Sequence, residues 1–148
     1  MGRGPCEPEL RSLAERLGVS ERVRILTERI PNARIAELHS AAFACMIPSS
    51  YEIFNMTMLE SLAAGTPVIA RREGGMADVI RHGEVGLLYD GGGKGDIERL
   101  VAEMASDPWR YERMREAARV HVRSYGWDTL ADRFISCYSR AMEEVGGA

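Results

Sequence analysis

At 148 residues, 45% of them apolar, the chain is long enough for one domain with a real hydrophobic core. Its 19 Lys and Arg stand against 22 Asp and Glu, a net charge of −3 with both signs spread along the chain, which gives no support to nucleic-acid or polyanion binding. The 3 cysteines and 3 histidines match no zinc or redox spacing, no apolar run is long enough to span a membrane, and the N-terminus has no secretory apolar region; a cytoplasmic protein is the expectation.

Met1 to Pro8 reads as a loop, followed by a helix from Pro8 to Leu17 with Leu10, Leu13, Ala14 and Leu17 on one face. Val23–Leu26 is predicted as a strand. Thr27 to Pro31 is the loop after it, where Glu28 and Arg29 either line a site or are solvated loop charges. Asn32 is placed as the cap of a helix through Ala42, with Ile35, Leu38 and Ala42 inward. Phe43–Ile47 is continuously apolar, as strands covered on both faces are, and Pro48 stops it. A loop then leads to Asn55, a good N-cap, and a helix from Met56 to Ala64. Gly65 ends that helix and Pro67 opens a strand, Val68–Ala70.

Gly74-Gly75 permits a turn or a close backbone approach before a short helix, Met76 to Arg81, and a strand, Leu87–Tyr89. The DGGGKGD run from Asp90 lacks the Lys-Ser/Thr pair of a phosphate loop and reads as a surface turn. Asp96 is placed as the cap of a helix whose stripe is Ile97, Leu100, Val101 and Met104. Asp107-Pro108 opens another, to about Ser124. The last helix follows Trp127 and Asp128. Its stripe of Leu130, Phe134, Cys137, Tyr138 and Ala141 reads as packing, and Val145 to Ala148 is expected to fray. Strands alternating with helices predict an α/β layer fold with a parallel sheet.

The chemistry gathers between Ser49 and Gly75. The first N–H groups of the helix after Asn55, from about Met56 to Leu59, have no intrahelical partner and with the helix dipole suit an anion such as a pyrophosphate. Glu60 can accept from a ribose diol. Glu52, nearer the strand end, can accept from sugar hydroxyls or stabilise positive charge at a sugar carbon. Arg71 or Arg72, directly after a strand, can neutralise phosphate. The same residues also suit a plain reading in which acidic groups stabilise a helix start and the arginines are ordinary surface charges.

The run Ser49-Ser50-x-Glu52-x-Phe54-x-Met56-x-x-Leu59-Glu60-Ser61-Leu62-Ala63-Ala64-Gly65-x-Pro67-Val68-Ile69-Ala70, followed by Gly74-Gly75-x-x-Asp78-Val79-Ile80, resembles the donor-binding half of the group 1 (family 4) glycosyltransferases. That resemblance implies a Rossmann-like parallel sheet with flanking helices, the C-terminal half of a two-domain fold, and retaining, metal-independent transfer from a nucleotide-diphospho-sugar donor with no further cofactor. It implies Glu52 as the catalytic-site group on the donor sugar and Glu60 on the ribose. It brings the backbone of Phe54, Asn55 and Met56 to the sugar and pyrophosphate, and Ile53, Thr57 and Arg71 are placed with them as substrate-binding residues. The family has Gly at the positions of Ile53 and Asn55, and more often Glu at that of Asp78.

The resemblance covers nearly all of residues 1–148 as a single, partial donor-binding domain. It implies an acceptor domain and two opening strands, one with cationic motifs for the departing diphosphate, that this sequence does not contain. In a doubly wound sheet of order 3-2-1-4-5-6 those strands lie in the middle. The expectation is therefore an acceptor-domain partner chain or a homo-oligomer, with transfer incomplete in the chain alone. A non-catalytic nucleotide-sugar-binding or interaction module is the alternative.

Overall fold

The computed structural model describes residues 4–91 and 95–146, so residues 1–3, 147–148 and the centre of the DGGGKGD run lie outside the described residues. The chain divides into two compact units, 1–35 and 36–148. In the first, α1 (Glu7–Arg16) starts one residue before Pro8, with an i,i+4 ion pair between Arg11 and Glu7 at 2.8 Å. A 3-10 turn, Ser20–Arg22, follows. The predicted strand Val23–Leu26 does not form: Val23 has extended backbone, yet its N–H goes to Ser20 O, and the sheet holds only three other strands among the described residues.

Helix α2 (Asn32–Ala41) begins in the first unit and ends in the second. Asn32 is its first residue, not its cap, and none of its side chains is fully buried. The sheet of the second unit is β1 (Cys45–Ile47), β2 (Val68–Arg71) and β3 (Gly86–Tyr89), all parallel in the order β1-β2-β3. Ile47 faces Ala70 across the first pair and Ile69 faces Leu87 across the second. Chain order equals spatial order, which is the 4-5-6 side of a doubly wound sheet and the Rossmann-like arrangement expected.

Alternation along β2 sorts the core. Val68 and Ala70 join Met58, Leu62, Met76, Val79 and Leu88 on one face, while Ile69 and Leu87 join Leu100, Met104 and Met114 on the other. Burying each of the fully enclosed Met58 and Leu62 side chains contributes about 2 kcal/mol. The helix that carries them, α3 (Met56–Ala63), is held at its far end by α6 (Pro108–His121). Arg115 Nε donates to Gly65 O at 3.0 Å and Arg119 Nη2 to Ala64 O at 3.3 Å. Gly65 closes α3 with φ 76°, the left-handed backbone that favours glycine at a helix end.

Three further boundaries differ from expectation. Helix α4 spans Gly74–Val79, so the glycine pair is its first turn and not a turn preceding it. Helix α5 (Asp96–Ser106) is capped by Gly95 in left-handed backbone, with Asp96 already helical. Asp107 does cap α6, accepting from Trp109 and Arg110 N–H at 3.0 Å. A 3-10 turn, Val122–Tyr125, closes α6, and α7 (Trp127–Gly146) remains helical through Gly146. The stripe on α7 is not packed: Phe134 is 58% and Tyr138 65% exposed. Its main contact is the 3-10 turn before it, because α3, α4, α5 and α6 already cover both sheet faces. Among the described residues no helix is long and apolar enough to cross a membrane.

Candidate functional site at the start of α3

Between β1 and α3 the chain must turn out of the sheet and present a helix start. Asn55 does this with ordinary extended backbone, φ −111° and ψ 109°, and its Oδ1 accepts from Met58 N–H at 3.0 Å. No non-glycine residue among those described has positive φ, so Ile53 and Asn55 need no left-handed backbone where the family has glycine. Of the helix-start amides, that of Met58 is therefore occupied, while those of Met56 and Thr57 lie at the first two positions of α3. The other end of the Asn55 amide, Nδ2, donates to Glu52 Oε2 at 3.1 Å.

Helix α4 starts against the same loop. Gly75 N–H donates to Glu52 O at 3.1 Å. A Cβ on Gly75 would lie 2.0 Å from Ile53 O, and one on Gly74, at φ 51°, would lie 2.4 Å from Glu52 O. Of the two readings offered for this glycine pair, close backbone approach is the one observed. The result is an open cleft of about 800 Å³ lined from the loop by Ser50, Tyr51, Glu52 and Ile53, and from the α4 side by Glu73, Gly74, Gly75 and Asp78. Its charged lining is wholly carboxylate, a set that accepts from hydroxyls.

Of the residues singled out from sequence, Glu52 and Ile53 line this cleft. Phe54 and Asn55 join it to α3, Met56 and Thr57 form the helix start, and Glu60 lies on the exposed face of α3. Arg71 ends β2 outside the lining. Its Nε is 2.9 Å from Glu73 Oε1 but out of line for a hydrogen bond, so the contact is an ion pair with the N–H directed elsewhere. Arg72 Nε meets Asp90 Oδ1 at 3.0 Å. Both arginines are thus engaged by carboxylates. Glu28 and Arg29, in the first unit, are exposed. Glu73 and Tyr51 escaped the sequence reading as site residues; their adjacency to Gly74 and Glu52 was the available signal. Tyr51 is 99% exposed at the rim. Among the described residues no group of His, Cys, Asp and Glu is placed to hold a metal ion.

Cys45 on β1 has its thiol pushed up by burial, partly offset by its hydrogen bond with Ser61, so it stays a neutral core group. On α6, burial likewise raises the Tyr111 phenol, whose OH donates to Phe43 O at 2.9 Å.

A family model described as glycosyl transferases group 1 matches residues 1–121. The D-inositol 3-phosphate glycosyltransferase of Thermomonospora curvata is 37% identical over 145 residues, 97% of this chain and 33% of the relative. The chain therefore spans about a third of the length of the curated relatives it matches. The sucrose-phosphate synthase of Thermosynechococcus elongatus superposes with TM-score 0.84 at 25% identity, covering 97% of this chain and 37% of that one. Anabaena Alr3699/HepE, solved in complex with UDP-glucose, superposes with TM-score 0.76 at 24% identity over 90% of this chain and 36% of that one, a likeness of fold. A sheet with β1, β2 and β3 in parallel order and a family match over residues 1–121 lead to one conclusion: this chain belongs to the group 1 glycosyl transferase family.

Proposed function

We propose that the chain is the donor-binding part of a retaining, metal-independent glycosyltransferase whose donor is a nucleotide-diphospho-sugar. The observation that carries the reading is the cleft in which Glu52 stands directly before the capped start of α3. Pyrophosphate oxygens accept from the N–H groups of Met56 and Thr57 at the positive end of the helix. Glu60 takes the ribose diol, and the carboxylate of Glu52 takes a hydroxyl of the donor sugar. The backbone of Ile53, Phe54 and Asn55 borders the sugar, and Arg71 contributes positive charge near the phosphates.

In transfer, the bond from the sugar's anomeric carbon to phosphate oxygen breaks. A bond to an acceptor hydroxyl oxygen forms with retained configuration, the acceptor proton is released and the nucleoside diphosphate departs. Glu52 stabilises the positive charge that develops at the anomeric carbon. The reading places the chain in the cytoplasm, with an acceptor domain or partner chain supplying the other wall of the cleft. A second reading, donor binding without transfer by this chain alone, is favoured by one observation: Arg71 and Arg72 are both paired to carboxylates, leaving little free cation for the departing diphosphate.

The test is calorimetric titration of the 148-residue chain with UDP, GDP and ADP and one sugar-nucleotide of each base. Saturable binding that weakens in Glu60→Ala is expected. A folded chain that binds none of them would overturn the donor-site reading.

A further inference from the structure

The donor reading uses Glu52 as a contact but does not say what holds its carboxylate. The side chain belongs to a loop whose neighbours Tyr51 and Ile53 are 99% and 94% exposed, so the loop's own packing gives it little support. Glu52 is nonetheless tied at two points. Its carbonyl accepts from Gly75 N–H at 3.1 Å, and its Oε2 accepts from Asn55 Nδ2 at 3.1 Å. The Asn55 amide faces a donor on one side and an acceptor on the other. Met58 N–H requires the oxygen and the Glu52 carboxylate requires the nitrogen, so the orientation of the amide is fixed by its surroundings.

We propose that Asn55 is a positioning residue for the donor sugar: its amide joins the helix cap to Glu52, so that Glu52 meets the sugar with Oε1 while Oε2 is held by Asn55. This rests on the donor-site reading above. The arrangement makes helix start and sugar contact one rigid piece. Where α3 puts the pyrophosphate, the Glu52 carboxylate follows at a fixed offset. It also sets a selectivity, because a carboxylate already using one oxygen on Asn55 discriminates more sharply among sugar hydroxyls than one free to turn.

Capping and positioning separate cleanly. Asn55→Asp keeps a cap of equal strength, since an acidic oxygen at that position also accepts from Met58 N–H and suits the helix dipole. It removes the only donor to Glu52 from this side chain and sets a like charge beside it. Asn55→Ala removes both functions.

The experiment measures UDP and UDP-glucose affinity by calorimetry, with thermal melting, for the full unvaried chain and the two variants. The expected result is that Asn55→Asp, whose cap is equivalent, still melts cooperatively and still binds UDP, weakened only by the repulsion its added carboxylate exerts on the diphosphate. Its additional affinity for UDP-glucose over UDP should fall about tenfold. An unchanged UDP-glucose increment in Asn55→Asp overturns the proposal and leaves the donor site standing. Binding of UDP with no sugar increment in the unvaried chain overturns it as well. If GDP or ADP binds in place of UDP, the same comparison is made with that nucleotide and its sugar-nucleotide; a folded chain that binds none of the three overturns the donor-site reading and this proposal with it. A ligand-free measurement, the shift of the Asn55 side-chain amide resonances on Glu52→Ala, then shows whether the bridge itself exists in solution.

Discussion

Replacing Gly75 with alanine adds one methyl group where two pieces of backbone already touch. Its Cβ would meet Ile53 O at 2.0 Å and Ile53 C at 3.0 Å, both main-chain atoms that no rotamer change can move aside. Restoring an ordinary contact of about 3.5 Å requires the loop and α4 to part by about 1.5 Å. The 3.1 Å hydrogen bond from Gly75 N–H to Glu52 O does not survive that separation. Overpacking of this kind costs about 1–3 kcal/mol and the lost bond about 1 more. At about 2–4 °C per kcal/mol, Gly75→Ala should melt about 4–16 °C below the unvaried chain. If the exposed loop yields cheaply, the penalty appears instead as a displaced Glu52 and weakened UDP-glucose binding with UDP binding kept. Melting and paired titrations of Gly75→Ala, with Gly4→Ala as a control that meets nothing within 4 Å, decide the matter. A Gly75→Ala chain equal to the unvaried one in both stability and UDP-glucose affinity would refute the claim that the glycine pair sets the loop.

Glu60→Ala should weaken UDP binding about tenfold or more, the loss of a charge-assisted contact to the ribose, measured by calorimetry with melting unchanged. Asp107→Ala removes the acceptor for Trp109 and Arg110 N–H and should cost about 1 kcal/mol in urea unfolding, without effect on nucleotide affinity. The Cys45 thiol, raised by burial, is favoured protonated in the folded chain, so its contribution is fully present below the ordinary thiol value of about 8.5 and is lost as pH rises through the folded value. Urea midpoints between pH 7 and 10 should therefore fall further for the unvaried chain than for Cys45→Ala. Both retain the alkaline loss from Tyr111, whose phenol is raised in the same direction and titrates only above the ordinary phenol value of about 10.

The sequence was most legible where local chemistry and tertiary demand agree. Asn55, the apolar run of α3 and the strand after Pro67 satisfy capping, periodicity and burial together, and each stands within about a residue of its predicted bounds. Val23–Leu26 has strand composition but no ladder partner among the described residues, and composition carries no information about partners. The stripe on α7 has helical spacing without burial, because periodicity states which face is apolar and not what covers it. Gly74-Gly75 left a turn and a close backbone approach both open, and glycine's low helix propensity does not favour a helix start there. A backbone contact with the loop outweighs that propensity and starts α4 there. In the site, Glu52 was legible as a residue type. Its tie to Asn55 needed coordinates, since spacing along the chain does not reveal which way an amide turns.

The two guanidinium contacts at the far end of α3 bear on how the molecule waits for its ligand. A short helix carries partial positive charge at its N-terminus and partial negative charge at its C-terminus. Arg115 and Arg119 answer the negative end permanently, from a helix that is itself capped and buried along Met114 and Ala118. An anion at the other end is then not required to keep α3 wound, so the helix start is preorganised. Ligand entry does not have to supply the ordering of the helix, and its binding free energy can be spent on discrimination.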